Sequence, residues 1–400
     1  MHSSLNPGSV YIPQEELLAV GRSTQGAIIG IPKETTFKEN RIALVPDAIA
    51  YLVANGHQIM VESNAGASAG FSDQDLSEAG AQIVYSCEEI YKAGIILKIS
   101  PPTLEEIGLM RSGQTLISAI QLSNRYEHII KALMAKKVNA LAFNYMKDKD
   151  GIYPVVRSMA EIAGSASILI AGEYLSNATK GKGLLLGGIS GVAPTSVVVI
   201  GAGTAGEFAV RAALGMGAQV KVFDNSIHRL RRLQIDVGQR LYTSLLTQKE
   251  LASAIKTADV VIGALRAPEG RTPCVVNESM VSEMKFGSVI IDISIDQGGV
   301  FETSQPTDHT SPTFVKFGVT HYCVPNIPSR VSHTASIALS NIMGPFLLKL
   351  GEEGGLENTL KTDKGARNGV YIFRGALTNR NFGEMYNIQS TDLNLLMAAF

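Results

Sequence analysis

A glycine-rich turn between a β-branched run and a helix-compatible run carries the most specific chemistry in this chain. The run 196–200 leads into Gly201-Ala-Gly203-Thr-Ala-Gly206, and Asp224 ends a second apolar run. In a strand–turn–helix unit, Gly201 permits the tight turn, Gly203 lets backbone approach a pyrophosphate, and Gly206 lets helix and strand pack closely. The amino terminus of the helix then offers free N–H groups to the phosphates.

Asp224 indicates which dinucleotide this turn binds. A carboxylate there accepts a hydrogen bond from a ribose 2′-hydroxyl and repels a 2′-phosphate, so the sequence predicts NAD(H) rather than NADP(H) as the cofactor. The basic cluster His228-Arg-Leu-Arg-Arg232 follows, for which a solvated helix face is the simpler explanation. Arg229 can also reach the adenosine edge of a dinucleotide, and it is included among the cofactor-binding candidates. The alternative for the whole segment is a glycine-rich turn that binds no ligand.

Polar side chains at other strand ends could supply the remaining groups that hydride transfer requires. The reaction needs a cation for the substrate carboxylate and a group that exchanges a proton at the heteroatom. Arg41 has the planar guanidinium that suits a carboxylate, although by itself it resembles a surface residue. Lys98 interrupts an apolar run, and three explanations are open. Burial makes the lysine neutral, or a neighbouring carboxylate keeps it charged, or the side chain extends from the strand end to solvent. Asp296 precedes Gln297-Gly-Gly299, whose glycines permit close approach of a cofactor. Asp292 is interpreted as a structural residue.

The elements that must position these residues alternate between apolar strands and helices. Such alternation predicts parallel strands covered by helices. Two long helical stretches divide the strands into two series. The predicted fold class is therefore α/β, with two doubly wound Rossmann-like domains and the NAD domain inserted into a discontinuous substrate domain. The strands are expected near 27–31, 58–61, 82–84, 95–99, 115–119, 139–143, 196–200, 219–223, 259–262, 288–293 and 322–324, and the long helices near 158–175 and 332–350.

The domain boundaries follow from the position of the two long helices. Residues 1–25 are expected to form an arm, 26–155 plus 326–400 the substrate (catalytic) domain, and 156–325 the NAD-binding domain. A small-molecule substrate would then bind in the cleft between the domains, at the carboxyl ends of the strands.

Composition argues against several other classes of protein. The formal net charge is −1, so no broad basic field attracts nucleic acid. Cys87, Cys274 and Cys323 have neither disulfide-framework nor zinc-site spacing, and no metal is expected. The uncharged stretch 183–206 contains seven glycines and the phosphate-binding turn, so a membrane-spanning helix is not predicted there. With no apparent signal peptide at the amino terminus, the predicted location is cytoplasmic.

From Ile29 to about residue 385, the chain resembles the alanine dehydrogenase family, which shares its fold with the NAD(H)-binding subunit of proton-translocating transhydrogenase. The resemblance implies NAD-dependent, reversible oxidative deamination of L-alanine to pyruvate and ammonia. It also implies a homo-oligomer, a hexamer as in alanine dehydrogenases or a dimer as in transhydrogenase subunits. The motifs that carry it are Ile31-Pro-Lys-Glu-Thr35, Arg41-Ile-Ala-Leu-Val-Pro46, the Lys98 strand, Met159-Ala-Glu-Ile-Ala-Gly164, the dinucleotide turn, Asp292-Ile-Ser-Ile-Asp296-Gln-Gly-Gly299 and Tyr322-Cys-Val-Pro-Asn326.

The same resemblance implies roles for individual residues. The positions that match Arg41 and Lys98 hold the substrate carboxylate and its keto or amino group. The position that matches Asp296 lies beside the nicotinamide and is essential. Asn326 ends the last matching motif and is a candidate for cofactor binding. Gln121 would orient the carbonyl or imine, and Lys98, Asp296 or an ordered water would transfer the proton.

Gln121 is where the chain departs from the family pattern. Alanine dehydrogenases that resemble this chain have a histidine there, taken as the acid–base residue, whereas glutamine cannot titrate. The transhydrogenase subunit has glutamine at this place, and Ala160 is a second transhydrogenase-like feature, although Asp150 to Ser158 follows the alanine dehydrogenase pattern. Three alternatives therefore stay open: a soluble transhydrogenase-like subunit, a non-catalytic NAD-binding sensor, and a dehydrogenase of a different amino acid.

Overall fold

Two β-sheets form the centre of the molecule in a computed structural model that describes residues 26–36, 38–267 and 271–398. The strands in chain order are β1 (Ile28–Ile31), β2 (Gln58–Glu62), β3 (Gln82–Val84), β4 (Ile95–Leu97), β5 (Thr115–Ser118), β6 (Asn139–Ala142), β7 (Ser196–Ile200), β8 (Gln219–Phe223), β9 (Tyr242–Ser244), β10 (Val260–Gly263), β11 (Val289–Asp292), β12 (Thr313–Lys316), β13 (Val319–Tyr322), β14 (Val370–Phe373) and β15 (Ala376–Leu377).

Helices connect and cover these strands. In chain order they are α1 (Pro46–Ala54), α2 (Asp73–Glu78), α3 (Cys87–Ile90), α4 (Leu104–Leu109), α5 (Glu127–Ala135), α6 (Pro154–Leu175), α7 (Thr204–Gly215), α8 (Ile227–Val237), α9 (Gln248–Lys256), α10 (Glu278–Ser282), α11 (Ser332–Glu352), α12 (Leu356–Thr362), α13 (Lys364–Arg367), α14 (Arg380–Tyr386) and α15 (Leu393–Ala398).

The first sheet has eight strands in the order β15-β14-β6-β5-β4-β1-β2-β3. Strands β1 to β6 run parallel to one another, whereas β14 and β15 add an antiparallel edge. All residues of β4, β5 and β6 are buried, as expected of parallel strands covered on both faces. The strand order reverses between β1 and β4, which places a ligand-binding crevice at the carboxyl ends of these strands.

The second sheet has seven strands in the order β12-β13-β11-β10-β7-β8-β9, with β12 antiparallel at one edge. Gly263, the last residue of β10, pairs with Ile200 of β7 and with Asp292 of β11. Three neighbouring strands therefore end at one level, and the loops that follow them share one edge of the sheet. This arrangement and the first sheet confirm the predicted fold class.

The two long helices α6 and α11 lie between the sheets and contact each other. Close packing of α6 on α7 depends on Gly164, because a Cβ there would lie 2.2 Å from the carbonyl oxygen of Ala205. By length and composition, α6 is the one helix among the described residues that could cross a membrane. The core helix of a soluble protein passes the same test, and α6 packs against both α7 and α11.

Buried hydroxyls of α11 hold the loop that carries Arg41. The Ser336 hydroxyl accepts the N–H of Ile42 at 2.9 Å, and the Ser340 hydroxyl accepts the N–H of Val45 at 3.0 Å. Both serines are fully buried, so each satisfies a backbone donor that would otherwise be unpaired in the core. The carboxy-terminal part of the chain thereby orients a loop near its beginning.

Some predicted elements differ from the structure. The strand expected at 322–324 is β13 at Val319–Tyr322, which ends where the prediction begins. Strands β9, β12, β14 and β15 lacked a sequence prediction, because runs of two to four residues give little period-2 signal. The last fifteen residues had no assigned role, and Leu393 of α15 packs in the core of the first sheet. The arm predicted at 1–25 lies outside the described residues.

Candidate active site

The dinucleotide turn has the geometry that its glycines predict. Gly201 adopts a φ of +115°, and a Cβ there would lie 2.4 Å from the carbonyl oxygen of Ala264. A Cβ at Gly206 would lie 1.9 Å from the carbonyl oxygen of Gly201, so only glycine lets the helix start this close to the turn. Gly203 faces open space and begins α7 without a side-chain cap. The first N–H groups of α7 are therefore available to an anion, and the turn fits a pyrophosphate.

Asp224 is buried at the end of β8 and braces this turn. Its Oδ2 accepts the N–H of Ala202 at 2.8 Å, and its Oδ1 accepts the N–H of Ser226 at 2.7 Å. Because each carboxylate oxygen can accept more than one hydrogen bond, Asp224 keeps acceptor capacity for ribose hydroxyls. The carboxylate beside the turn fits NAD(H), since a 2′-phosphate would meet a like charge.

The basic residues after Asp224 are mostly engaged with acidic neighbours. Arg229 lies 3.9 Å from Asp224 Oδ2, and its side chain is half exposed. Arg232 lies 3.5 Å from Asp236 and donates a hydrogen bond to the carbonyl oxygen of Ala202 at 3.2 Å. The cluster is thus largely a solvated, ion-paired helix face, with Arg229 beside the carboxylate of Asp224.

Gln121 and Asp296 meet where the carboxyl edges of the two sheets face each other. Gln121 follows β5, and Asp296 lies in the 3₁₀ turn Ile293–Gln297 that follows β11. The Gln121 Nε2 donates to the Asp296 Oδ2 at 3.4 Å. Burial raises the pKa of the Asp296 carboxyl to about 6, against the opposing charge of Arg266. The contact brings together one group that can exchange a proton near neutral pH and one that can only hydrogen-bond.

Asp292 supports the turn that carries Asp296. Its carboxylate accepts the N–H of Ser294 at 3.1 Å, the N–H of Val300 at 2.9 Å and the hydroxyl of Ser304 at 2.7 Å. The side chain is fully buried, and burial raises the pKa of this carboxyl to about 6 although these donors oppose the shift. Asp292 therefore has the structural position that its sequence context suggests.

Asn144 and Tyr145, which the sequence analysis did not single out, lie beside Gln121. The Asn144 Oδ1 accepts the N–H of Ile120 at 3.1 Å, and its Nδ2 donates to the carbonyl oxygen of Ile120 at 2.8 Å. Asn144 thereby clamps the residue that precedes Gln121. Burial raises the pKa of the Tyr145 phenol, and the charge of Arg266 opposes this shift. The signal that could have found both residues is their position after β6, next to β5 in the sheet.

Arg41 belongs to a buried cluster with Glu39 and Asn326. Its Nε and Nη2 donate to the two oxygens of Glu39 at 2.7 and 2.6 Å, and Nη1 contacts the Met159 sulfur at 3.1 Å. The Asn326 Nδ2 also donates to Glu39, at 2.7 Å. In spite of burial, Arg41 lowers the pKa of the Glu39 carboxyl. Asn326 thus braces Glu39, and the Nη1 group of Arg41, which faces a weak acceptor, remains a donor for a ligand.

Lys98 is buried in an ion pair. Its Nζ lies 2.7 Å from both carboxylate oxygens of Glu106 and 3.9 Å from Glu34, and its side chain is 0% exposed. Glu106 in turn caps α4, because its Oε2 accepts the N–H of Thr103 at 2.7 Å. Glu34 accepts the N–H of Ile99 at 2.5 Å and of Ser100 at 3.3 Å, and burial raises its pKa. Of the three alternatives for Lys98, the structure matches a charged lysine beside a carboxylate.

The structure therefore brings the candidate residues together in three groups. Gly201, Gly203, Gly206, Asp224 and Arg229 line the dinucleotide turn, Gln121 meets Asp296, and Arg41 meets Asn326 through Glu39. Lys98 joins none of these groups through a hydrogen bond among the described residues. The fold and the site define a two-domain protein with one dinucleotide-binding domain and a polar cleft between the carboxyl edges of its sheets.

Comparisons with known proteins identify the family. The model of the alanine dehydrogenase/PNT N-terminal domain matches residues 30–163, and that of the C-terminal domain matches residues 167–380. The chain belongs to the alanine dehydrogenase/PNT family, which confirms the predicted resemblance. It is 38% identical over 372 residues to alanine dehydrogenase of Mycolicibacterium smegmatis, an alignment that covers 93% of this chain and 100% of the relative. It is also 38% identical to alanine dehydrogenase of Staphylococcus saprophyticus, covering 92% and 98%.

Solved structures agree with the family assignment. An L-alanine dehydrogenase superposes with a TM-score of 0.85 at 36% identity, covering 90% of this chain and 99% of that chain. A transhydrogenase from Sinorhizobium meliloti superposes with a TM-score of 0.75 at 24% identity, covering 88% and 98%. The second likeness concerns the fold alone.

Proposed function

We propose that this chain catalyses the NAD-dependent, reversible oxidative deamination of L-alanine to pyruvate and ammonia. The observation that carries the proposal is the 3.4 Å contact between Gln121 Nε2 and Asp296 Oδ2. This contact places a titratable carboxyl and an amide in the cleft, on the same edge of the second sheet as the dinucleotide turn. The alanine dehydrogenases that are 38% identical over more than nine-tenths of this chain support L-alanine as the substrate.

The cofactor would occupy the turn of the second sheet. Gly201, Gly203, Gly206 and the start of α7 would hold the pyrophosphate, and Asp224 with Arg229 would hold the adenosine end. When bound, NAD accepts the hydride from the substrate carbon that carries the amino group. Gly298 and Gly299, at φ values of +102° and +82°, close the turn that carries Asp296 tightly against the side chains of Arg271 and Asp292.

Asp296 is the proposed proton-exchanging group. A carboxyl with a pKa of about 6 is mostly ionised at neutral pH and can take the proton released in deamination. Gln121 donates its amide N–H to the carbonyl oxygen or imine nitrogen and does not titrate. Arg41 offers its Nη1 group to the substrate carboxylate, while Glu39 holds the rest of the guanidinium. The predicted contact between Lys98 and substrate stays a prediction.

For assembly and location, we propose a cytoplasmic homo-oligomer, a hexamer or a dimer, that binds neither membrane nor nucleic acid. Large apolar side chains are exposed on α6, on the loop that follows it and just after α7. Gly187 of that loop packs on the carbonyl oxygen of Met216. A face of this kind is typical of subunit contacts. The residues that support this part of the proposal are Leu169, Leu184, Leu185, Ile189, Val192 and Met216. Light scattering of the purified protein measures the number of subunits.

The test of the reaction is spectrophotometric. NADH should form with NAD and L-alanine, and it should be consumed with pyruvate and ammonium. Asp296→Asn should reduce turnover by at least about 100-fold, since general acid–base groups contribute about 10²- to 10⁴-fold. NADH affinity should persist. The matched control Asp308→Asn, at an exposed carboxylate of the same domain, should retain wild-type turnover.

The pH dependence gives a second test. Because the pKa of Asp296 is raised to about 6, the carboxylate form is lost as the pH falls through this value. The kcat/KM for L-alanine should therefore fall about tenfold per pH unit below about 6. Binding of NADH without turnover of L-alanine or pyruvate would refute the proposal and favour the sensor.

A further inference from the structure

Arg266 is a cation to which neither the dinucleotide turn nor the proposed binding of the substrate carboxylate assigns a role. It lies on the segment that follows β10, between the dinucleotide turn and the turn that carries Asp296. The Ser294 hydroxyl donates to the carbonyl oxygen of Leu265 at 2.6 Å, which ties this segment to the 3₁₀ turn Ile293–Gln297. On its other side, the carbonyl of Ala264 abuts Gly201. The segment thus lies between the proposed pyrophosphate turn and the turn that carries Asp296.

The charge of Arg266 reaches groups from both sheets. It opposes the burial-driven rise of the pKa of Asp296, and it opposes the same rise for Tyr145, which follows β6 of the first sheet. The residue is exposed rather than packed in the core. Arg266 is therefore an exposed cation whose charge acts on one group from each sheet, on a segment that is hydrogen-bonded to the turn of Asp296.

Arg266 differs from the other two cations of the site in its partners. Arg41 holds both oxygens of Glu39, and Lys98 holds both oxygens of Glu106. Among residues 26–36, 38–267 and 271–398, no carboxylate forms an ion pair with Arg266. Arg41 and Lys98 are thus paired within the protein, whereas Arg266 has no ion pair among the described residues, and Asp296 is a carboxylate on which its charge acts.

Turnover would increase the difference in charge pairing between Arg266 and the two paired cations, Arg41 and Lys98. When Asp296 takes the proton released in deamination, its carboxyl becomes neutral, and the opposing charge on which Arg266 acts disappears. A substrate with a single carboxylate places that group at Arg41 and leaves Arg266 unpaired. A second carboxylate on the substrate side chain would complete the charge balance and form a bidentate contact with the planar guanidinium.

We propose that Arg266 is a specificity-determining residue, and that the site takes amino and 2-oxo acids with an acidic side chain in addition to L-alanine and pyruvate. This inference rests on the proposed dehydrogenase function and names the substrate class of the same site. The matched probes are 2-oxoglutarate and 2-oxopentanoate, which have the same chain length but carry a carboxylate or a methyl group at the far end.

The experiment measures kcat/KM for both acids in reductive amination with NADH and ammonium. Wild type should prefer 2-oxoglutarate at least tenfold. Arg266→Met should lower this preference by about 10- to 100-fold, the range expected for a lost charge-assisted hydrogen bond. Arg266→Lys should give an intermediate preference. For both variants the readout is the ratio of kcat/KM for the two acids, measured at a pH well above the Asp296 titration, so that a common change in catalysis cancels.

Two controls separate specificity from other effects of the same residue. Arg240→Met removes an exposed arginine of the same domain that has no ion pair among the described residues, and it should leave the preference unchanged. Fluorescence titration with NADH should give equal affinities for Arg266→Met and wild type. A preference that does not change in Arg266→Met, or a loss of NADH affinity instead, would overturn the inference and assign Arg266 to the cofactor.

Failure of the proposed function has a different signature. If no 2-oxo acid is turned over, the dehydrogenase proposal fails, and the anion site is then measured by quenching of NADH fluorescence in the binary complex. Tighter binding of 2-oxoglutarate than of 2-oxopentanoate, abolished by Arg266→Met, would still support the site. Equal binding of the two acids would refute it.

Discussion

Replacing Lys98 by Met tests whether this lysine is structural or contacts the substrate. The family resemblance places Lys98 on the substrate, whereas the structure holds its ammonium group on Glu106 at 2.7 Å with no exposure. Methionine keeps much of the apolar stem but removes the charge. Glu106 then becomes a buried carboxylate without its cation, and Glu34 loses an opposing charge 3.9 Å away.

The expected destabilisation is large. Removing one partner of a buried ion pair costs about 3–5 kcal/mol, because the remaining charge is left uncompensated. For a domain of about 150–250 residues, each kcal/mol lowers the melting temperature by about 2–4 °C. Lys98→Met should therefore lower the thermal transition of the first domain by about 6–20 °C, which differential scanning calorimetry measures.

The double variant Lys98→Met, Glu106→Gln separates stability from catalysis. Replacing both partners by neutral groups is often close to neutral in stability, and glutamine can still accept the N–H of Thr103 at the start of α4. The double variant should recover most of the lost stability. If Lys98 is structural, its kcat and KM for pyruvate should lie near the wild-type values.

Two results would refute this reasoning. A single variant as stable as wild type would show that the buried pair contributes nothing to stability. A double variant that folds, binds NADH and fails to turn over pyruvate would show that Lys98 contacts the substrate, as the resemblance implies.

Three further changes probe the remaining parts of the site. Gln121→His should raise L-alanine turnover and add a titration near 6.5 to the pH–rate profile. Slower turnover with no added titration would contradict the hypothesis that the chain lacks an acid–base group at position 121. Asn144→Ala should lower kcat/KM for pyruvate without changing NADH affinity, because the clamp on Ile120 is lost; an unchanged kcat/KM would show that the clamp is dispensable. Asp224→Asn should reduce the preference for NADH over NADPH by about tenfold or more in calorimetry, since the charge that repels a 2′-phosphate is removed; an unchanged preference would place cofactor selection elsewhere.

Local sequence patterns predicted most of the fold because the strands are buried on both faces. Runs such as Val197 to Ile200 are continuous and apolar, as parallel strands covered by helices require, and the glycine turn has the same form in any such unit. The antiparallel edge formed by β14 and β15 escaped prediction. Strand β14 pairs with β6, far away in sequence, β15 pairs with β14, and the short length of both strands gives no periodic signal.

The sequence by itself determined the dinucleotide turn, since the roles of Gly201, Gly203 and Gly206 depend on backbone conformation within a few residues. It also named Asp296, Arg41 and Gln121 as polar groups at strand ends, but only as separate candidates.

Tertiary structure alone decided which polar groups neutralise one another. Lys98 directly follows β4 and Glu106 lies eight residues further on, in α4, and only the packing of α4 on the sheet makes them a buried pair. The contact between Gln121 and Asp296 spans 175 positions and two domains. Whether a charged side chain has a donor left for a ligand depends on its neighbours in space: the ammonium group of Lys98 is held on both oxygens of Glu106, whereas Arg41 pairs with Glu39 and still has its Nη1 group beside a weak acceptor.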